Sequence, residues 1–276
     1  MPAEPLPGEP PPPVLAGFGV AGALPRPLGG GSGSSWVAGD VVLKPADLDR
    51  AELEWQACVY AQVSCEGFRL AAPRAALDGS LCVDGWCASE YLSGQHEPRR
   101  WADVIAAGER FHAALRGIPP PPFLDRRSSP WAISDRVAWA EIRASEFPHV
   151  SQLQQLTAAT RPVIAPSQVI HGDLSGNVLF DSRLPPAIID FSPYWRPAGY
   201  ASAIVVADAL VWEGADRQIL DLVSHIADFG QYLIRALIFR LVTDWLLTRD
   251  EPAETDVHDD RWAPAVDLAC RVAAVR

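Results

Sequence analysis

The stretch Val169-Ile170-His171-Gly172-Asp173-Leu174-Ser175-Gly176-Asn177-Val178-Leu179-Phe180, with Ile188-Ile189-Asp190-Phe191 just after it, decides the reading of this chain. Apolar runs flank a tight polar loop that carries an Asp and an Asn. A second Asp closes the next apolar run. The pattern predicts short strands that deliver two carboxylates and an amide from neighbouring ends. An acid/base group beside metal-holding oxygens is what phosphoryl transfer needs. Such a site also needs a nucleotide cradle and a lysine, so the upstream sequence tests the idea.

Upstream lies Leu28-Gly29-Gly30-Gly31-Ser32-Gly33-Ser34-Ser35-Trp36-Val37-Ala38-Gly39-Asp40-Val41-Val42-Leu43-Lys44-Pro45. Gly39-Asp40 predicts a two-residue turn between short strands. The glycine cluster can bring backbone N–H groups close to phosphates, or it is simply a flexible hairpin tip. Lys44 ends an apolar strand and could reach phosphates from there. The spacing is not that of a Walker loop. Residues 47–63 read as a helix capped by Asp47 or Asp49. Around Glu54 the residues Arg50, Ala51, Ala57 and Cys58 form a mostly small-residue stripe suited to close packing, and an acid on it needs a partner. Lys44 is the expected one. Glu52, beside Leu48, Trp55 and Val59, is the competing choice.

Phe68-Arg69-Leu70, Leu81-Cys82-Val83 and Trp86 to Leu92 supply three more β-type runs, the last two joined by a hairpin signal at Asp84-Gly85. Ser93-Gly94-Gln95 breaks the pattern and marks a hinge between lobes. Residues 99–117 predict an amphipathic helix, with His112 as a structural histidine beside its apolar face. Residues 131–158 are helical in pattern, interrupted by Pro148. Pro193 to Tyr200 read as an aromatic loop. Residues 201–212 form a nearly all-apolar helix. Asp208 inside it must be paired, and the expected role is to hold the Asp173 loop through backbone N–H bonds. Residues 218–248 supply one or two further helices, 249–260 a polar loop, and 262–275 a final helix. Residues 1–13 are proline-rich and expected to be a disordered tail. The domains expected are therefore that tail, a lobe over 14–93 and a lobe over 94–276.

At 276 residues the chain can bury a sizeable core, and 49% hydrophobic residues exclude global disorder. The net charge of −11 argues against a nucleic-acid partner and favours a cationic or neutral small substrate. Cys58, Cys65, Cys82, Cys87 and Cys270 form no C-x-x-C pair. They predict neither a metal knuckle nor a disulfide framework, but buried free thiols in a reducing compartment. With no signal-peptide pattern and no run of about 18 apolar residues, the expected setting is cytoplasmic, with no membrane partner. No feature specifies an oligomeric state.

The tract His171-Gly172-Asp173-Leu174, then Asn177, then an apolar strand and Asp190, resembles the aminoglycoside phosphotransferase and choline kinase-like branch of the protein-kinase-like fold. The likeness runs from about Gly29 to Trp212. The tract Gly39 to Pro45 followed by Glu54-Trp55 resembles an actinobacterial subgroup of that family. The resemblance implies an α+β, two-lobe fold: a small antiparallel sheet with one helix, then a mainly helical lobe. It implies an ATP- and Mg²⁺-dependent kinase acting on a hydroxyl of a small molecule, which an acidic protein would suit if that molecule bore an amine. Asp173 would be the catalytic base, Asn177 and Asp190 would hold Mg²⁺, and Lys44, held by Glu54, would contact the α/β-phosphates. Gly29, Gly30, Gly31 and Gly33 would cover the phosphates. Ser89, Glu90, Tyr91 and Leu92 would offer backbone hydrogen bonds to adenine, and His171 would support the loop. The Asp173-to-Asn177 step is one residue shorter than the family's usual one, and the turn at Ser175-Gly176 would absorb the difference. That shortening keeps a second reading open, a kinase-like nucleotide-binding or interaction protein without turnover. A protein kinase fits less well, because no A-P-E segment follows Asp190.

Overall fold

The computed structural model describes residues 8–29, 33–147, 150, 152–249 and 261–274. The chain forms two compact units, Met1–His96 with Val178–Asp190, and Glu97–Asn177 with Phe191–Arg276. The second segment of the first unit was not foreseen: the chain returns there after the Asp173 loop.

Among the described residues the first helix is α1 (Pro12–Gly17), whose first two residues fall in the tail expected over 1–13; residues 1–7 of that tail lie outside the described residues. Proline at the first helical positions lacks only an N–H that would be unpaired there anyway, and its fixed φ suits the helix. Strands β1 (Arg26–Pro27), β2 (Trp36–Ala38) and β3 (Val41–Pro45) follow, then α2 (Arg50–Tyr60) and β4 to β7 (Arg69–Leu70, Pro73–Arg74, Cys82–Val83, Trp86–Glu90). The main sheet runs β1-β2-β3-β7-β5, with β6 also paired to β7, and every pairing in it is antiparallel. Val14 and Leu15 of α1 and Phe18 just after it pack with Ala38, Val41, Leu43 and Ala88, so one face of the sheet is apolar core. Lys44, one residue out of phase with Leu43, lies on the other face. Both predicted hairpin turns form. Gly39 has φ 60 and is followed by a residue of ordinary φ. Asp84 and Gly85 have φ 47 and 77, the two positive angles of a type I′ turn.

A second, small sheet has the order β4-β10-β9, with β9 (Val178–Leu179) and β10 (Ala187–Ile188) coming from the returning segment. Gln95 and Phe180 exchange two backbone hydrogen bonds of 2.9 and 2.8 Å. Arg69 Nη2 donates to the Ser93 carbonyl at 2.8 Å, and Ser93 Oγ donates to Asp181. These bonds carry the unit through Gln95, past the boundary expected at residue 93.

In the second unit, α3 (Trp101–Ala114), α4 (Pro130–Ala138) and α5 (Leu153–Ala159) precede β8 (Gln168–His171). Strand β11 (Pro193–Arg196), α6 (Ala198–Trp212), α7 (Phe229–Thr248) and α8 (Trp262–Ala274) complete it. The aromatic loop expected at Pro193 is a strand, paired antiparallel with β8 from Pro193 opposite His171 to Arg196 opposite Gln168. Pro148 and residues 250–260 of the loop expected over 249–260 lie outside the described residues. Helix α7 is buried on every side from Phe229 to Thr243 and packs against α4, α5, α6 and α8, so it is the axis of this unit.

Candidate active site

The Asp173 loop is held from below by histidines. Strand β8 ends at His171, which is fully buried. The His171 N–H donates to His112 Nε2 at 3.0 Å, and the Asp173 N–H donates to His171 Nδ1 at 3.1 Å. Burial, reinforced by His171, pushes the His112 imidazole down to about 3, so it stays neutral and can accept. Phe191 and Phe111 pack against the His171 ring at 5.6 and 6.5 Å between centroids. Gly172 is required by a close approach: a Cβ there would fall 2.3 Å from the Tyr194 ring.

The short step to Asn177 is closed by a turn. The Asn177 N–H donates to the Leu174 carbonyl at 3.0 Å, and Gly176 has φ 81, as at the third position of a type II turn. Asn177 Nδ2 donates to the Asp173 carbonyl at 2.7 Å and approaches its Oδ2 at 3.4 Å. The amide nitrogen is thus turned to Asp173, leaving Oδ1 as the oxygen a hard cation would take.

Sequence reasoning missed Arg240, on α7. Its Nε and Nη2 fork onto both oxygens of Asp208 at 2.7 Å, and Nη2 also donates to Asp173 Oδ1 at 2.8 Å. The expected role of Asp208, accepting backbone N–H bonds, is therefore corrected. A carboxylate this deep needs a cation, and Arg240 provides it while bridging to the loop. Burial pushes the Asp208 carboxyl up and Arg240 pulls it partly back. The Asp173 side chain stays 39% exposed, with Oδ1 taken by Arg240 and Oδ2 approached by Asn177 Nδ2 at 3.4 Å.

In the first unit Lys44 Nζ is bonded to Asp190 Oδ1. Asp190 has φ 49, a left-handed backbone that is uncommon away from glycine and common at functional positions. Tyr60, at the end of α2, is half-buried; desolvation and the Asp190 charge push its hydroxyl up. The expected Lys44–Glu54 pair is corrected. Glu54 accepts from Arg50 Nε at 2.7 Å, one turn earlier. The stripe of Ala51, Glu54 and Cys58 faces outward, while Glu52, Leu53, Gln56 and Val59 are buried. Glu52 serves with Asp49 in a capping box.

Gly29 and Gly33 are exposed and lie in the β1–β2 connection, closed by Leu28 N–H to the Ser35 carbonyl at 2.8 Å. Gly30 and Gly31 lie outside the described residues. Of the proposed adenine segment, Ser89 is in register with Val42, Glu90 N–H donates to Ala72, and Tyr91 N–H donates to Asp40. Ser89 is thus paired within the sheet and the N–H groups of Glu90 and Tyr91 are committed to backbone bonds, while the strand has ended by Leu92. Among the described residues there is no cluster of three or more His, Cys, Asp or Glu side chains for a metal. Of the two expected metal-holding residues, Asp190 belongs to the first unit and Asn177 to the second.

Residues 25–194 match the phosphotransferase enzyme family, APH. The chain belongs to that family. Its fold is shared with solved structures at low identity. An aminoglycoside phosphotransferase from Alicyclobacillus acidocaldarius subsp. acidocaldarius DSM 446 is 16% identical, with TM-score 0.63, covering 99% of this chain and 96% of the other. A choline/ethanolamine kinase family protein from Mesorhizobium loti is 18% identical, with TM-score 0.55 and coverages of 96% and 91%. An amicoumacin kinase in complex with AMP-PNP, Ca²⁺ and Ami is 13% identical, with TM-score 0.60 and coverages of 91% and 88%. No curated protein matches the chain. The phosphotransferase therefore has the α+β, kinase-like fold that the motif implied, and no described helix is long and apolar enough to cross a membrane.

Proposed function

We propose that this phosphotransferase moves the γ-phosphoryl group of ATP to a hydroxyl of a small molecule. The observation that carries the reading is the fixing of Asp173. Arg240 occupies one carboxylate oxygen, Asn177 and His171 hold the backbone, and the other oxygen, which meets only the long 3.4 Å approach of Asn177 Nδ2, would accept from an acceptor hydroxyl. In that role Asp173 orients the hydroxyl and takes its proton as the bond to phosphorus forms. Arg240 keeps the carboxylate from rotating, and the type II turn at Gly176 sets Asn177 against it. Lys44 would neutralise nucleotide phosphates, at which point its bond to Asp190 is exchanged for one to phosphate. The exposed glycines of the β1–β2 loop would cover the phosphates, and Leu92 would present its backbone to the base. Asp190 and Asn177 carry the hard oxygen donors that suit Mg²⁺, which when bound neutralises charge on the transferred group. The acidic balance suits an amine-bearing acceptor, in keeping with the aminoglycoside and choline kinase neighbours.

An ADP-release screen over aminoglycosides, amino alcohols and neutral polyols tests the proposal. One or more acceptors should raise ADP above the ATP-only background, and Asp173→Ala should abolish the increase. Stabilisation by ATP and Mg²⁺ with no acceptor-dependent ADP across the panel would favour the reading without turnover.

A further inference from the structure

Cys82 and Cys87 face each other across the β6–β7 hairpin with their sulfurs 2.8 Å apart. The register produces this contact. The Asp84-Gly85 turn pairs Val83 with Trp86, and then Cys82 with Cys87. Along the neighbouring ladder, Tyr91 N–H bonds the Asp40 carbonyl and Ala46 N–H bonds the Gly85 carbonyl. That alternation directs the N–H and C=O of Cys87 toward Lys44 on β3, its partner in register. The Cys82–Cys87 pair is therefore of the kind without backbone hydrogen bonds between its members. Facing Cα atoms then stand about 4.5 Å apart and side chains come closest, within the span of about 4.4–6.8 Å that a disulfide bridges. Both thiols are free and half-buried, on the sheet face that carries Lys44.

We propose that Cys82 and Cys87 form a dithiol oxidation site that a hydroperoxide converts to a cross-strand disulfide. The Cys82 thiolate attacks the peroxide, the O–O bond breaks, the alcohol or water leaves, and Cys82 becomes a sulfenic acid. The Cys87 sulfur attacks that sulfur, the S–O bond breaks, and hydroxide leaves as water with the Cys87 proton. In sum, two thiols lose two electrons and two protons, and the hydroperoxide is reduced to alcohol and water. The order of attack follows from the surroundings. Burial and the adjacent Cys82 push the Cys87 thiol up to about 12, against a smaller pull from Lys44, so Cys87 is held protonated and serves as the resolving partner. This site stands apart from the phosphotransfer reading and does not depend on it.

The test uses the full chain with Cys58, Cys65 and Cys270 changed to Ser, exposed to hydrogen peroxide. Both remaining cysteines fall in one tryptic peptide, residues 75–99. That peptide should become lighter by two hydrogen atoms, both thiols should stop titrating, and dithiothreitol should restore them. In the same background Cys87→Ser should trap a Cys82 sulfenic acid with dimedone, at least tenfold faster than Cys82→Ser labels Cys87. Two thiols still titratable after oxidation, or a disulfide linking two molecules, would overturn the proposal. Because the mass shift is read without touching either cysteine, misfolding of the Ser variants cannot decide the result.

Discussion

Replacing Arg240 by Met tests how the Asp173 loop is held. Arg240 and Asp208 are 10% and 8% exposed at their side chains and meet through two hydrogen bonds of 2.7 Å. Removing the guanidinium leaves a buried carboxylate without its cation, a change that costs about 3–5 kcal/mol. At about 2–4 °C per kcal/mol for a chain of this size, the melting temperature should fall by roughly 6–20 °C. The loss should depend on pH. Burial already makes folded Asp208 hold its proton more tightly than the unfolded chain does, so its contribution to stability falls as pH rises above about 4. Without Arg240 that fall should steepen and extend to higher pH. Adding Asp208→Asn should recover much of the deficit, because no buried charge then remains in the pair. The assay is differential scanning calorimetry of the wild type, both single variants and the double variant from pH 4 to 8. A melting temperature for Arg240→Met within about 2 °C of wild type across that range would refute the reasoning, since the pair would then be worth less than about 1 kcal/mol.

Three other predictions follow from the same geometry. Gly172→Ala should destabilise by about 1–3 kcal/mol in urea unfolding, because its Cβ would strike the Tyr194 ring, and Tyr194→Leu in the same chain should relieve part of that. His112 is held neutral with a pKa of about 3, against about 6.5 unfolded, so its contribution to stability is lost as pH falls through that window; His112→Gln should flatten the stability profile between pH 6.5 and 4.5. Lys44→Met should weaken ATP binding by roughly 10- to 150-fold in calorimetric titration, the equivalent of about 1.5–3 kcal/mol for a hydrogen bond to a charged group.

The parts legible in the sequence are those set by local chemistry. Val169, Ile170, Val178 and Ile188 are buried strand residues, and their apolar runs gave away the loop between them. Gly39-Asp40 and Asp84-Gly85 named their own turns. Asp208 announced a buried charge that needed an answer. What the chain conceals is tertiary pairing. Arg240 lies 67 residues beyond Asp173 on a helix buried all round, and the only trace of it was a cation in an apolar run. Glu54 on α2 was expected to pair with Lys44, whereas helical geometry puts Arg50, four residues back, within reach of it. Helix α1 was hidden by its prolines, which read as a tail until Val14, Leu15 and Phe18 are seen to cover the sheet. Strand β11 was obscured in the same way, since Pro193 opens its four residues and Pro197 follows them, while their partner is β8.

The central claim is transfer of a phosphoryl group to an acceptor hydroxyl with Asp173 as the base. It is met most directly by incubating the protein with Mg²⁺, ATP carrying ¹⁸O in its γ-phosphoryl group, and the acceptor selected by ADP release, then weighing the products. The account predicts the labelled phosphoryl group on the acceptor, through the acceptor's own unlabelled oxygen, and none from Asp173→Ala. Label appearing in inorganic phosphate alone, or transfer undiminished in Asp173→Ala, would contradict it.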